Sequence, residues 1–281
     1  MEKAIEIVNL RKTYKDFALK DINLSLPKGY IMGFVGANGA GKSTTLGCLL
    51  GMLKADSGSI KIFDKDIKTL TNADKEKIGV VMDGVPFAQM FCLKDIDAVF
   101  KNLYSNWDSE KFLSLCSRFG LPPKKQIKDY STGMRAKLNI SMAISHNPQL
   151  LVLDEATSGL DPVVRDEILD ILQDFVCDEN RSILMSSHIT SDLEKICDYI
   201  AFIKNGEIVF VENKDTLQEK YAVVHLAKEQ YEKLDKTAVV GAKITDYNVS
   251  ALVLKDKISG EYAAEKPSIE DIMLYYTKEV K

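Results

Sequence analysis

The chain has 281 residues, of which 46% are hydrophobic and 28% are charged, as in an ordinary globular protein with a sizeable core. Acidic residues outnumber basic residues 41 to 37, giving a net charge of −4, and no basic stripe stands out, so nucleic acid is not an expected partner. No apolar run approaches the roughly 20 residues that span a bilayer, and the N-terminal stretch lacks a signal-peptide pattern. We therefore expect a cytoplasmic protein.

The first part of the chain predicts strands around a glycine-rich loop. AIEIVNL and KDINLSL alternate apolar and polar residues, which is typical of strands with one covered face. YIMGFVG is a nearly continuous apolar run, as expected of a strand buried on both faces. The glycine-rich loop follows, KSTTLGCLLGML predicts a helix, and GSIKIFDKDI predicts a further strand and turn.

Residues from about 84 to 147 change character and predict a mostly helical insertion, because VFKNLYSNW, DSEKFLSLCSRFGL and STGMRAKLNISMAISH carry apolar residues at helical spacing. Strand patterns return at QLLVLDE, RSILMSSH and DYIAFIKNGEIVF. Between the first two, Asp161 and Pro162 predict the N-cap and first residue of a helix. Residues 221–281 mix strand-like pieces with the helical pattern SIEDIMLYYTKEV and predict a small α/β appendage.

The glycine-rich loop, GANGAGKSTT, matches G-x-x-x-x-G-K-[ST] and predicts a nucleoside triphosphate site. Its glycines let successive backbone N–H groups point at phosphate oxygens, and the following helix N-terminus also favours an anion. Lys42 is expected to reach the β- and γ-phosphates, and the Ser43 hydroxyl to ligate Mg²⁺. The expected nucleotide contacts are Gly36, Ala37, Asn38, Gly39, Ala40, Gly41, Lys42, Ser43 and Thr44.

LLVLDE places two carboxylates, Asp154 and Glu155, at the end of an apolar strand. In nucleotide hydrolases with this loop class, such an aspartate holds the Mg²⁺ shell. Side chains alternate along a strand, so Glu155 projects differently from Asp154. This orientation suits Glu155 to orient or deprotonate the attacking water.

Two further motifs indicate which kind of nucleotide hydrolase the sequence resembles. YSTGM, at residues 130–134, precedes the strand that carries Asp154, and SSHIT, with His188, ends the next apolar run. With SGLD at 158–161, the order of motifs resembles the nucleotide-binding cassette of ABC transporters over roughly residues 1–220. This resemblance implies an α/β P-loop NTPase: a RecA-like mixed β-sheet core with an antiparallel β subdomain and an inserted α-helical subdomain. A small C-terminal α/β accessory domain at 221–281 would follow.

The resemblance also implies a composite site. In this family two cassettes stack head to tail around two ATP molecules, so the expected partner is a second cassette, either an identical copy or a close paralogue. Ser131 and Gly133 would contact ATP held by the partner's loop, and Asp161 would lie at the dimer seam. His188 resembles the family's switch histidine, which touches the γ-phosphate, and Tyr14 stands where an aromatic residue lies against the adenine. The cassette would work at the cytoplasmic face of the cell membrane on an integral membrane permease.

The sequence departs from the family pattern at two motifs. The YSTGM signature has Thr132 and Met134 where glycine and glutamine are usual, a form that many export-type cassettes resemble. In IGVVMDG, at residues 78–84, Asp83 takes the place of a glutamine that usually reaches Mg²⁺ and relays motion to the membrane subunit. Since hard oxygen ligands suit Mg²⁺, Asp83 is expected to reach the metal through water.

The favoured function is an ATP-hydrolysing subunit of an ABC exporter. An alternative is a cassette ATPase that acts on ribosomes, DNA ends or cofactor assembly. Ribosome-acting members usually carry two cassettes, and DNA-end members carry long coiled coils, whereas this chain has one phosphate loop and no sustained heptads. A small-molecule kinase would not need the YSTGM and SSH motifs. The transported substrate is not encoded in any of these motifs.

Overall fold

The computed structural model describes residues 2–82, 89–258 and 262–277. Its strands are β1 (Lys3–Thr13), β2 (Ala18–Pro27), β3 (Ile31–Val35), β4 (Ser57–Ile62), β5 (Lys65–Asp66), β6 (Ile78–Val81), β7 (Leu150–Asp154), β8 (Ser182–Ser187), β9 (Tyr199–Lys204), β10 (Glu207–Asn213), β11 (Tyr221–Leu226), β12 (Val239–Ile244), β13 (Val249–Leu254) and β14 (Ala264–Glu265). Its helices are α1 (Lys42–Leu49), α2 (Asn72–Lys75), α3 (Leu93–Leu103), α4 (Ser109–Arg118), α5 (Thr132–Ser145), α6 (Pro162–Val176), α7 (Thr190–Ile196), α8 (Lys214–Lys220), α9 (Lys228–Lys233) and α10 (Ile269–Thr277). Within these ranges, no helix has the length and apolar character that a membrane span requires.

The central sheet has the strand order β10-β9-β3-β8-β7-β6. Its four inner pairings from β9 to β6 are parallel, and β10 joins antiparallel at the edge. Every residue of β3, β7 and β8 is buried, which explains their continuous apolar runs. In an open parallel sheet, ligands bind outside the carboxyl ends of the strands. Those ends carry the phosphate loop after β3 and Glu155 after β7.

A second, antiparallel sheet has the order β2-β1-β4-β5 and lies beside the first. Burial alternates along β2, as the sequence pattern predicts for a strand with one covered face. The apolar side chains of this sheet share a core with α1 and with one face of the central sheet. The turn between β1 and β2 therefore lies next to the phosphate loop, where Phe17 and Leu19 approach Gly41.

Three helices, α3, α4 and α5, stand between β6 and β7, as the helical spacing of this segment predicts. Their core is aromatic. Trp107 packs on Phe100 and Phe112, with ring centroids 4.8 and 5.2 Å away, and its indole N–H donates to Asp97 Oδ1 at 2.8 Å. Trp107 is thus a packing residue that joins α3 to α4.

The C-terminal segment forms a third sheet, with the order β12-β13-β11-β14, and ends in α10. Helix α10 packs back on the cassette, where Ile269 and Ile272 are fully buried in the same core as α7. The hydroxyls of Tyr221 and Tyr276 lie 2.7 Å apart, and Lys204 Nζ donates to the Tyr276 carbonyl at 3.2 Å. The tail and the cassette therefore share one hydrophobic core, and a domain boundary at residue 220 stays a prediction.

Candidate functional site

The phosphate loop is shaped by close backbone approaches at two glycines. A Cβ at Gly36 would lie 2.4 Å from the Ile203 carbonyl oxygen, so no larger residue fits there. Gly41 has a φ of 116°, and a Cβ there would lie 2.6 Å from Leu19 Cδ2. Both positions therefore require glycine. Between them, residues 37–39 are exposed, and the Ala40 N–H closes the turn on the Ala37 carbonyl at 3.1 Å.

Lys42 is folded under its own loop. Its side chain is only 6% exposed, and its Nζ donates to the Gly36 carbonyl oxygen at 2.7 Å. The same Nζ lies 3.3 Å from Glu155 Oε1, an ion-pair distance without hydrogen-bond geometry. An ammonium group at the inside of a ring of backbone amides is the arrangement that holds phosphate oxygens.

The first turn of α1 offers further donors to an anion. The hydroxyl of Ser43 is exposed, Thr44 is half-buried, and Thr45 is turned inward, where its Oγ1 donates to the Gly41 carbonyl at 2.9 Å. The helix N-terminus contributes unpaired N–H groups and a partial positive charge. The loop and this turn together form a cradle for a phosphate chain.

Asp154 and Glu155 are held from the neighbouring strand by one residue, Ser186. The Ser186 hydroxyl donates a short hydrogen bond to Asp154 Oδ1 and accepts the Glu155 N–H at 3.1 Å. Glu155 has a φ of 51°, in the left-handed region that non-glycine residues rarely adopt. This bend ends the strand and turns the Glu155 side chain away from that of Asp154. Such a backbone conformation persists only where its surroundings hold it.

His188 lies across from Glu155. Its Nδ1 is 2.6 Å from Glu155 Oε2, whereas Glu155 Oε1 is buried and accepts no hydrogen bond from any described residue. One carboxylate oxygen is thus oriented by the histidine, and the other lies at ion-pair distance from Lys42 without a hydrogen bond. A buried carboxylate oxygen without a donor is costly and indicates a position meant for a ligand or water.

Five of the sequence-predicted site residues line one cavity of about 560 Å³, a size typical of small-molecule sites. Asn38, Ser43, Asp154, Glu155 and His188 line its nucleotide side. The opposite wall comes from the helical insertion and the segment before α6, and is formed by Thr132, Arg135, Ala136, Asn139 and Leu160. The cavity therefore lies between the central sheet and the signature helix α5.

The donor set suits a magnesium ion bound together with phosphates. Ser43 supplies a free hydroxyl and Asp154 a carboxylate in the same cavity. Among the described residues, no cluster of three or more His, Cys, Asp or Glu side chains forms a complete metal cage. Mg²⁺ does not need such a cage, because it commonly takes one or two carboxylates, substrate phosphates and waters. Asp83, the third predicted metal residue, lies outside the described residues.

Tyr14 is placed at the turn that borders the phosphate loop. Its side chain is 44% exposed, its N–H donates to the Phe17 carbonyl at 2.7 Å, and Lys12 Nζ lies 5.5 Å from its ring centroid. In the same turn, Phe17 would contact a Cβ at Gly41 at 2.9 Å. Tyr14 therefore presents an accessible aromatic face next to the loop, although it does not line the cavity.

Three further predicted residues, which also do not line that cavity, lie at helix N-termini. Ser131 is the N-cap of α5 and its Oγ accepts the Met134 N–H at 3.2 Å, while Gly133 leaves room for Val164, 3.3 Å from where a Cβ would stand. Asp161 is the N-cap of α6, as the sequence predicts, and its Oδ1 accepts the N–H groups of Val163 and Val164. Ser131 and Asp161 are exposed.

Several supporting residues are not apparent from motif reasoning. Ser186 lies within the SSH motif, but its double hydrogen bond depends on strand pairing across the sheet. Asp192 on α7 is 2% exposed and accepts the Thr157 hydroxyl at 2.7 Å, and burial raises the pKa of its carboxyl. Arg165 Nε lies 3.9 Å from Asp192. No local pattern in the sequence indicates that Thr157, Arg165 and Asp192 form one cluster.

Comparison with known proteins places this site in a family. The family model described as ABC transporter matches residues 19–158. The chain is 31% identical over 209 residues to the ABC transporter ATP-binding protein YtrB of Bacillus subtilis, covering 74% of this chain and 71% of YtrB. It is 35% identical over 214 residues to the lantibiotic transport ATP-binding protein SrtF of Streptococcus pyogenes, covering 75% of this chain and 91% of SrtF.

A solved structure of an ATP-binding subunit of an ABC transporter shares the fold. It matches with a TM-score of 0.70 and 22% identity over 77% of this chain and 92% of that chain. The expected P-loop NTPase fold class is confirmed, and the relatives support transport over the ribosome, DNA and cofactor-assembly alternatives. The chain belongs to the ABC transporter family and is one of its ATP-binding, ATP-hydrolysing subunits.

Proposed function

We propose that Glu155 orients and deprotonates the water that attacks the γ-phosphate of ATP, and that the resulting cycle of closure and opening drives export through a separate membrane permease. The observation that carries the catalytic role is the divided environment of the Glu155 carboxylate. Oε2 is fixed by His188 at 2.6 Å, and Oε1 is buried without a donor at the cavity. A general base needs such an oriented, available oxygen.

The phosphate-binding roles follow from the cradle. Lys42 would leave the Gly36 carbonyl for the phosphate oxygens, and the backbone N–H groups of the loop would take the remaining charge. Ser43 and Asp154 would hold Mg²⁺, with Asp83 reaching it through water. When bound, Mg²⁺ offsets the negative charge that develops on the transferred phosphoryl group. His188 would contact the γ-phosphate, and Tyr14 would lie against the adenine.

We infer that the complete site requires a second cassette, either an identical copy or a close paralogue. Ser131 and Asp161 are exposed at helix N-termini, so their side chains are accessible to a facing subunit. Gly133 lies in the same α5 turn as Ser131. The N-terminus of α5, with its unpaired N–H groups, is suited to cap a phosphate bound by the partner's loop.

The permease partner and the direction of transport rest on relatives. SrtF is named as a lantibiotic transport protein, so a peptide or antibiotic is the proposed class of cargo for this chain as well. The cassette would then lie at the cytoplasmic face of the cell membrane, attached through its permease. Affinity purification from native membranes tests the permease association, since an integral membrane protein should be recovered with the chain. We further propose that residues 1–220 form the ATP-hydrolysing unit and that residues 221–281 form an accessory unit.

Glu155→Gln tests the catalytic assignment. The variant keeps the size of the side chain but cannot take a proton, so ATP turnover should fall by about a hundredfold or more while ATP still binds. With ATP and Mg²⁺, the variant should also elute as a dimer in size-exclusion chromatography. Glu179→Gln, at an exposed loop glutamate away from the cavity, is the matched control and should hydrolyse ATP normally. Normal hydrolysis by Glu155→Gln would remove the basis of the proposal.

A further inference from the structure

A buried carboxylate behind the catalytic pair has no role in the chemistry described so far. Asp192 lies on α7 and is 2% exposed. Its Oδ2 accepts the hydroxyl of Thr157, which is fully buried, at 2.7 Å. Its Oδ1 lies 3.9 Å from Arg165 Nε, itself a buried nitrogen without a hydrogen-bond partner. Burying a carboxylate costs free energy that apolar packing would avoid, so this position calls for an explanation.

Asp192 and its two partners, Thr157 and Arg165, belong to three segments that each lie next to a site residue. Thr157 lies inside the turn that starts at Glu155, where the Ser158 N–H closes on the Glu155 carbonyl at 3.0 Å. Arg165 Nη2 donates to the Leu160 carbonyl at 3.0 Å, directly before Asp161. Asp192 itself follows His188 by four residues. One buried cluster therefore links the turn after Glu155, the segment before Asp161 and the helix after His188.

We propose that Asp192 is a positioning residue for ATP hydrolysis. It holds the turn after Glu155 and helix α7, which follows His188, at the spacing that contact between the Glu155 and His188 side chains requires. Glu155 has left-handed backbone geometry that its surroundings must maintain. On the sheet side, its N–H is fixed by Ser186. On the opposite side, the Thr157–Asp192 hydrogen bond fixes the turn. Neither Thr157 nor Asp192 lines the cavity, so their effect reaches the nucleotide only through Glu155 and His188.

This inference rests on the proposed role of Glu155, and its test separates the two. Thr157→Val replaces the hydroxyl with a methyl group of similar shape and leaves Asp192 buried without its donor. We expect kcat for ATP to fall by about ten- to a hundredfold, since small misplacements of reacting groups have effects of this size. The affinity for a non-hydrolysable ATP analogue should stay within about twofold, because the phosphate loop is untouched. Thr157→Ser keeps the hydroxyl and should restore kcat.

A control and a second variant keep the outcome clear. Lys195→Met removes the exposed ion pairs of Lys195 with Asp166 and Asp170, which also join α6 to α7, and should leave kcat unchanged. If Thr157→Val does not fold, Asp192→Asn is used, since it keeps an acceptor for Thr157. Asp192→Asn should retain most of the wild-type kcat, and Asp192→Ala should not. The positioning role is overturned if Thr157→Val lowers only the melting temperature, or if kcat is unchanged while Glu155→Gln is inactive.

Discussion

Lys42 Nζ lies 3.3 Å from Glu155 Oε1, so the cation of the loop after β3 faces the carboxylate that follows β7, two strands away in the sheet. The two residues reach each other because β3 and β7 are both parallel to β8 and end at the same edge of the sheet. An arriving phosphate chain would compete with Glu155 and with the Gly36 carbonyl for Lys42. Nucleotide binding would therefore also release Glu155 Oε1 from its ion pair with Lys42.

Lys42→Met should weaken ATP binding. Methionine keeps most of the buried stem of the side chain but removes the charge, and a hydrogen bond to a charged group contributes about 1.5–3 kcal/mol. We expect the dissociation constant for ATP to rise about ten- to a hundredfold, measured by titration with a fluorescent ATP analogue. The melting temperature should fall as well, because the buried Gly36 carbonyl loses its donor and Glu155 loses its ion-pair partner. Lys101→Met, at an exposed site on α3, serves as the control, and equal affinities in the two variants would argue against the assignment.

Ser186→Ala should lower both the free energy of unfolding and the rate of ATP turnover. The substitution removes the donor to Asp154 and the acceptor of the Glu155 N–H in a fully buried position. Leaving buried polar groups unsatisfied costs about 1–3 kcal/mol, which urea unfolding can measure. Turnover should fall as well, because Glu155 loses a contact that fixes its backbone. Ser182, at the other end of β8, provides a comparison, and a smaller effect on turnover is expected for Ser182→Ala.

Asp161 can be tested for its two roles separately. As the N-cap of α6, it accepts the N–H groups of Val163 and Val164, so Asp161→Ala should lower the free energy of unfolding by about 1 kcal/mol. Asparagine caps helices about as well as aspartate, so Asp161→Asn should keep the wild-type stability. If the carboxylate also acts at a dimer seam, Asp161→Asn should still reduce ATP-dependent dimerisation. Unchanged dimerisation in Asp161→Asn would limit Asp161 to capping.

His146 should make the stability of the protein depend on pH. Its ring is 2% exposed and stacks on Tyr104 with centroids 4.3 Å apart, and burial lowers its pKa. The unfolded chain, with a histidine pKa of about 6.5, therefore binds more protons than the folded chain as the pH falls below that value. The free energy of unfolding should accordingly decrease as the pH falls from 7.5 to 5.5.

The matched variants for this pH dependence are His146→Phe and His225→Gln. Phenylalanine preserves the aromatic stack and cannot titrate, so His146→Phe should lose less stability between pH 7.5 and 5.5 than the wild type. His225 is exposed, and His225→Gln should retain the wild-type dependence. Urea unfolding followed by circular dichroism measures both. Parallel curves for His146→Phe and the wild type would show that another group is responsible.

Local patterns account for much of the architecture. The buried strands β3, β7 and β8, the Asp161 cap and the helical insertion all follow from periodicity and capping chemistry, which act over a few residues. The phosphate loop follows from its G-x-x-x-x-G-K-[ST] pattern, although the approaches of less than 3 Å that require Gly36 and Gly41 come from distant segments. Such patterns lie in contiguous residues and can be recognised without knowing the fold.

The remaining features depend on contacts between distant segments. The left-handed turn at Glu155, the two hydrogen bonds of Ser186 and the Thr157–Asp192 contact arise where separate strands and helices meet. The short helices α7, α8 and α9 lack a strong period and are not predicted from the sequence. The sequence pattern also suggests an appendage after residue 220, whereas Ile269 and Ile272 return to the cassette core.

The return of α10 has a consequence for how the protein unfolds. Ile269 and Ile272 lie in one core cluster with Leu193 and Ile196 of α7, the helix that follows His188. Melting of the tail would therefore expose α7 to water and loosen the backbone next to His188. We therefore expect the tail and the cassette to unfold together, so that packing of α10, at a distance from the phosphate loop, raises the thermal stability of the ATP-binding unit.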